Sequence, residues 1–144
     1  MYKDLQAGDI IGVKRFLYSH YGVYVGDENV IHYSGVKGDF AGVKSIRYGT
    51  MKEFLGGKKE FFELVFHKVH LKPRKEKRYE TQSEEYFLYS PKETVERAKS
   101  RLGENKYNLA FNNCEHFAIW CKTGISESYQ VKAVLKNFVE FRKK

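Results

Sequence analysis

His20-Tyr-Gly-Val-Tyr-Val-Gly26, then Asp27-Glu28-Asn29, then Val30-Ile-His32-Tyr-Ser34: the reading of residues 20–34 decides the fold. Tyr21–Gly26 alternates as a strand does. Asp27-Glu28-Asn29 punctuates, and Val30–Ser34 resumes. This is a β-hairpin signature with a loop of two to four residues. Each strand carries a histidine, and parity decides whether the two meet. With a two-residue loop Gly26 pairs with Asn29, and His20 and His32 fall on opposite faces. An odd loop, with Asp27–Asn29 or Gly26–Glu28 as its three residues, puts them on one face, and so does a bulge. A slip of one residue flips every side chain. With the imidazoles together, Val23 and Val25 face away from His20.

Outward from the hairpin, the first half of the chain reads as strands. Asp9–Lys14 is short and β-branched, Gly42–Arg47 is a further candidate, and Glu63–Val69 is another. Thr50–Leu55 reads as a short helical turn. Residues 72–86 run basic and then acidic with little to bury, so they are expected to be an exposed loop. A lid role for them stays open. The second half starts helices. Ser90-Pro91-Lys92-Glu93 is a capping box with Pro at the first helical position. Val95, Ala98 and Leu102 follow at helical spacing, and Gly103 is a natural stop. Asn112 or Asn113 caps a second helix through Phe117, Trp120 and Cys121 that ends at Gly124. Ser126 is expected to cap a last one, with Val131, Val134, Leu135 and Phe138 as its apolar stripe. The fold class is α+β: an antiparallel N-terminal sheet packed on C-terminal helices. At 144 residues, 42% of them hydrophobic, residues 1–144 fit a single domain with one core.

Composition narrows the setting. No apolar run reaches the ~18 residues of a membrane-spanning helix, and the polar opening Met-Tyr-Lys-Asp-Leu-Gln shows no signal peptide. The expected compartment is cytoplasmic, with peripheral membrane contact as the variant. The formal charge of +8 favours anionic partners such as lipid head groups. No nucleic-acid-binding motif is present, so nucleic acid is not expected. Two cysteines seven residues apart on one helix lie ~10 Å apart, too far for a disulfide, so both are expected as free thiols.

Cys114 is the strongest chemical candidate. It falls in the first turn of a capped helix, whose N-terminus stabilises an anion and so favours a reactive thiolate. Unpaired amides in the same turn can hold a developing oxyanion. Cys121, behind Trp120 in the helix interior, suits a buried structural role. A nucleophilic cysteine needs a base within hydrogen-bond reach. His116, two residues on, points away from Cys114 on a helix and is expected to cap or pack. His20 and His32 are the better pair, one to take the thiol proton and the other to orient the first. Cys114, His116, Cys121, His67 and His70 make a metal set only on paper. None has the tight paired spacing of a zinc site, and His67 and His70 fall on opposite faces of a strand. Neither metal nor cofactor is expected. Tyr18, Tyr21, Tyr24 and Asn113 are the candidates for substrate contact, though strand packing explains the tyrosines as well.

These motifs carry a resemblance. His20-Tyr-Gly-Val-Tyr-Val-Gly26 with Val30-Ile-His32 is similar to the H-box, and Asn112-Asn113-Cys114-Glu115-His116-Phe117 to the NC motif, of the lecithin:retinol acyltransferase (LRAT)-like family. That family includes the HRAS-like suppressor phospholipase/acyltransferases, within the circularly permuted papain-like (NlpC-type) superfamily. Gly8-Asp9-Ile10, Arg97-Ala98, Arg101-Leu102-Gly103 and Tyr107-Asn108 extend the match to nearly the whole chain. The resemblance implies Cys114 as nucleophile, His20 as base and His32 as the third member of a Cys-His-His triad. It implies a two-step transfer: the thiolate takes an acyl group from a phospholipid ester, then passes it to water, an amine or an alcohol. The ending Val-Glu-Phe-Arg-Lys-Lys departs from members with an apolar C-terminal anchor. Two alternatives accompany this reading. One is a papain-like amidase or peptidase. The other is a non-catalytic H-box/NC interaction module, as in some viral 2A proteins.

Overall fold

Every residue from Ile10 to Val13 is buried, although successive residues of a strand face opposite ways. Both faces of this strand must therefore be covered. The computed structural model, which describes residues 2–35, 44–67, 87–108 and 112–144, shows how. The strands β1 (Ile10–Lys14), β2 (Ser19–Gly26), β3 (Asn29–Ser34) and β4 (Ser45–Thr50) lead into the short helix α1 (Met51–Leu55) and β5 (Phe62–Phe66). The helices α2 (Pro91–Ser100), α3 (Cys114–Thr123) and α4 (Ser128–Asn137) follow, and β6 (Val139–Lys143) closes the order. The strands form one six-stranded antiparallel sheet, ordered β4-β3-β2-β1-β5-β6. The fold is thus α+β, as the sequence indicates.

The sheet divides two apolar layers. On one face Ile10, Val23, Ile31, Tyr33 and Leu64 pack with Ala98, Phe117, Ile119 and Val131 of the three long helices. On the other, Ile11, Val13, Tyr24 and Val30 pack with Met51, Phe54 and Phe61 around α1. Burial on both faces is why β1 reads as a continuous apolar run rather than an alternating one.

The hairpin resolves the parity question. Asp27 and Glu28 form a two-residue turn with φ of 50° and 60°, and Gly26 pairs with Asn29. That register alone separates the histidines. A bulge between Tyr24 and Gly26 inserts one extra residue, Val25, so that Tyr24 pairs with Val30 and Val23 with Ile31. The shift restores His20 and His32 to one face. The Tyr24 hydroxyl accepts the Glu28 N–H at 3.1 Å, and the Met51 N–H bonds the Glu28 carbonyl at 2.8 Å. The turn is thereby tied to both β2 and α1.

Several boundaries differ from expectation. The fourth strand is Ser45–Thr50 rather than Gly42–Arg47, because it pairs along the whole of β3, from Ser34↔Ser45 to Asn29↔Thr50. Thr50 then caps α1, its hydroxyl accepting the Glu53 N–H at 3.1 Å. Ser126 does not cap α4. Glu127 occupies that position without a side-chain cap, and Phe138 ends the helix rather than extending its stripe. The strand β6 was not anticipated, since Val139-Glu-Phe141 is a short alternation followed by basic residues. It is held by pairing with β5, from Phe66↔Val139 to Phe62↔Lys143. The expected loop and lid at 72–86, His70, and the ends of the Gly42–Arg47 and Glu63–Val69 strands at 42–43 and 68–69 lie outside the described residues.

Candidate active site

Asn113 turns the chain into α3. Its backbone is extended, and its side-chain oxygen accepts the His116 N–H at 3.0 Å. The Asn113 N–H in turn donates to His116 Nδ1 at 3.4 Å, a capping box with histidine in the place usual for Glu or Gln. His116 Nε2 meets Ser128 Oγ at 2.8 Å and ties α3 to α4. Burial, with Lys132 adding to it, pushes His116 below the ordinary imidazole range. As expected, this histidine caps and packs. The same bond accounts for Ser128, rather than Ser126, being the engaged serine.

Cys114 is consequently the first residue of α3. The first-turn amides of Cys114 and Glu115 cannot bond a carbonyl of their own helix. The thiol is buried and donates to the Ser19 carbonyl at 3.8 Å. It therefore lies at the peptide that joins Ser19 to His20.

His20 and His32 are each 2% exposed, and His20 Nε2 lies 2.8 Å from His32 Nδ1. A single shared proton satisfies both nitrogens at that distance. The two rings pack edgewise, 5.1 Å apart, and both lie on Phe54 of α1, at 5.2 and 5.6 Å. Two glycines make the room. A side chain at Gly22 would run into Val30, Phe54 and His32, and one at Gly49 would lie 2.7 Å from His32 Nε2. The imidazole pair thus belongs to the α1 face, whereas α3 packs on the Tyr21, Val23 and Tyr33 face. The thiol approaches from the α3 side and meets the chain where β2 begins. The site sits at the end of β2, not in the middle of one sheet face.

A polar network fixes α3 relative to β3. Asn112 Nδ2 donates to the Tyr33 hydroxyl at 3.1 Å, to Glu104 at 3.3 Å and to the Lys106 carbonyl at 2.9 Å. The Tyr33 hydroxyl donates to Glu104, and Arg101 clamps Glu104 at 3.0 and 2.6 Å while reaching Asn112 Oδ1 at 3.1 Å. Burial works to raise the Glu104 carboxyl, but the bonds from Arg101, Tyr33 and Asn112 outweigh it and hold it below the ordinary range. Tyr33 follows His32, and Asn112 lies two residues before Cys114. The network therefore links the strand of one candidate residue to the helix of another.

The remaining candidates divide. Tyr21 is buried with Cys114, and burial, followed by the Glu115 charge, raises its hydroxyl pKa far above the ordinary range. Tyr24 is turned to the hairpin turn, on the face of Phe54. Tyr18 lies in the β1–β2 turn, its carbonyl accepting the Arg15 N–H at 2.8 Å. Asn113 is engaged as the cap. Cys121, like Cys114, is in no disulfide, and burial pushes its thiol up to about 12. Among the described residues no three His, Cys, Asp or Glu side chains gather as a metal-binding group, and no helix is long and apolar enough to cross a membrane. Sequence reasoning missed Phe54, Gly22, Gly49 and the Tyr33–Arg101–Glu104 network. Glycine inside a strand marks a close approach, so Gly22 and Gly49 carried a signal that could have been read.

Comparison with known proteins gives a consistent picture. The family model described as Lecithin retinol acyltransferase matches residues 3–127. The chain is 26% identical over 152 residues to lecithin retinol acyltransferase of Bos taurus, covering 90% of this chain and 60% of that protein. It is 31% identical over 131 residues to phospholipase A and acyltransferase 2 of Homo sapiens, covering 86% and 74%. It is 28% identical over 135 residues to human phospholipase A and acyltransferase 3, covering 89% and 76%. The chain thus spans about 60% of the bovine acyltransferase and about three quarters of the two phospholipases.

Proposed function

Since the chain belongs to the lecithin retinol acyltransferase family, we propose that it is a thiol-dependent acyltransferase or phospholipase acting on a phospholipid ester, built as a single domain over residues 1–144. The observation that carries this reading is the buried His20–His32 hydrogen bond at 2.8 Å beside a thiol seated at the Ser19–His20 peptide. Relatives named as acyltransferases and phospholipases support it.

In this mechanism His20 takes the Cys114 proton, and His32 holds the ring in the right tautomer and spreads the imidazolium charge. The helix N-terminus stabilises the resulting thiolate. The sulfur attacks the ester carbonyl, and its oxygen becomes an oxyanion that the first-turn amides of α3 can receive. Collapse breaks the acyl C–O bond. The proton held by His20 goes to the leaving glyceryl oxygen, which departs as lysophospholipid. The acyl group then stands on Cys114 as a thioester. Water, an amine or an alcohol, deprotonated by the same imidazole, attacks that thioester, and the proton returns to sulfur. The site needs no cofactor for either step.

Intact-mass measurement after incubation with short-chain phosphatidylcholine tests the reading. An acyl mass on the wild type, absent from Cys114→Ala, is the expected result. No adduct and no released fatty acid, from folded protein whose Cys114 is alkylated by iodoacetamide, would overturn it in favour of amide substrates. If Cys114 does not alkylate either, a non-catalytic binding module is the better reading.

A further inference from the structure

The two tight turns of β2 obey different rules. The β2–β3 turn has Asp27 and Glu28 at its centre, polar residues suited to solvent. The β1–β2 connection is four residues, Arg15–Tyr18, with Lys14 paired to Ser19 and the Arg15 N–H bonded to the Tyr18 carbonyl. Its two central residues are Phe16 and Leu17. Tight turns favour Gly, Asn, Asp and Pro, yet here two large apolar side chains stand 94% and 84% exposed. Among the described residues, neither belongs to a core cluster. A local rule broken without a structural return points to a function.

The surroundings show what the pair fits. The Arg15 guanidinium donates to the carbonyls of Phe54 and Leu55, at 2.6 and 2.9 Å, and so fixes the base of the turn on α1. The apolar tip is held outward by that clamp. Lys14, Lys58 and Lys59 line a shallow groove beside Phe16. Its acidic residue, Glu60, is ion-paired with Lys143 at 3.2 Å. An apolar tip flanked by lysines matches the layering of an anionic bilayer, with phosphates above and acyl chains below. Leu17 is two residues, hence at most ~7 Å of chain, from Ser19, whose carbonyl meets the Cys114 thiol at 3.8 Å.

We propose that the β1–β2 turn is a membrane-docking element. Phe16 and Leu17 enter the acyl region of an anionic phospholipid surface, Lys14, Lys58 and Lys59 meet its phosphates, and Arg15 positions the tip. Docking brings the end of β2, and Cys114 with it, to the interface where an ester-linked lipid presents its carbonyl. The proposal takes its purpose from the lipid-ester reading above, but its measurement is independent of catalysis.

The test is co-sedimentation of the full chain with phosphatidylcholine vesicles, with and without phosphatidylserine. The wild type is expected to bind the phosphatidylserine vesicles more tightly and to lose that preference in high salt. Phe16→Ser with Leu17→Ser should weaken binding on the order of a hundredfold. Lys58→Gln and Lys59→Gln should each weaken it about fivefold and flatten the salt dependence. Since the turn is exposed, the thermal unfolding midpoint of each variant should match the wild type and so exclude misfolding. Turnover of a dispersed, monomeric short-chain phosphatidylcholine should be unchanged in the Phe16/Leu17 variant.

Equal vesicle binding by wild type and that variant would overturn the proposal. So would self-association of the wild type without vesicles that the same substitutions abolish, which would assign the turn to a second copy of the chain. A wild type that turns over monomeric lipid but ignores vesicles would sink the docking element and leave the lipid-ester reading standing. Vesicle binding that depends on Phe16 and Leu17, from protein that never acylates, would support docking and overturn the lipid-ester reading.

Discussion

The two ends of α3 carry the same side chain in opposite settings. Cys114 is its first residue, at a capped terminus, with its thiol on the Ser19 carbonyl. Cys121 lies two turns on, fully buried, and burial pushes its thiol up to about 12. The Trp120 and Cys121 carbonyls at that end accept Arg97, whose guanidinium is sandwiched between the Tyr89 and Trp120 rings at 4.1 and 3.8 Å. Both thiols are buried, so burial alone does not separate their settings. Position along the helix does. One end offers amides and a positive dipole to an anion, while the other offers apolar walls and carbonyls that an arginine has already claimed.

The largest expected effect breaks this contrast outright. Cys114→Ala should lower acyl transfer by on the order of 10⁴-fold or more, whereas Cys121→Ala should leave it within about threefold. Comparable losses in a steady-state fatty-acid release assay would show that the two ends do not differ in function. Next, alkylation of Cys121 should accelerate about 10³-fold when the protein unfolds near pH 9, because its thiol moves from about 12 back to 9.0. The direction also bears on stability. A thiol raised in the fold contributes stability that is complete below 9.0 and is lost as pH rises towards about 12. Denaturant midpoints across the alkaline range, on wild type and Cys121→Ala, would check it.

Substituting the imidazoles should make Cys114 behave more like Cys121. His20→Gln or His32→Gln is expected to lower acyl transfer roughly 10²–10³-fold and to slow alkylation of Cys114. Glu104→Gln should act through position, lowering kcat about tenfold with little change in KM and costing about 1.5–3 kcal/mol in stability. Because Glu104 is held below its ordinary range, that stability is present above 4.5 and fades as pH falls, so the variant should converge on wild type in acid. The smallest effect is expected from Asn113→Ala, which should cost about 1 kcal/mol in urea unfolding through loss of the cap.

How far the sequence alone could reach follows from sequence distance. The cap, the capping box on α2 and the Gly124 stop lie within a few residues of what they control, and all are legible as written. The pairing of His20 with His32 was legible only as a condition, an odd loop or a bulge, since either register leaves the same residues in the same order. The Tyr33–Glu104 contact spans 71 positions, and β6 exists only through its pairing with β5. Neither leaves a local trace. Ser126 looked a better cap than Glu127 because nothing nearby announces that His116 engages Ser128, 12 residues on.

The bulge at Val25 has a consequence for how this hairpin can change over generations. The chemistry proposed for it is stored as a count, not as a spelling. Asp27, Glu28 or Val25 can be exchanged for other residues while the tally between His20 and His32 is kept. Losing or gaining a single codon between them turns one imidazole to the opposite side of the sheet and leaves a well-paired hairpin with nothing to offer the thiol. In a library of random variants, this stretch should accept many substitutions and almost no insertions or deletions.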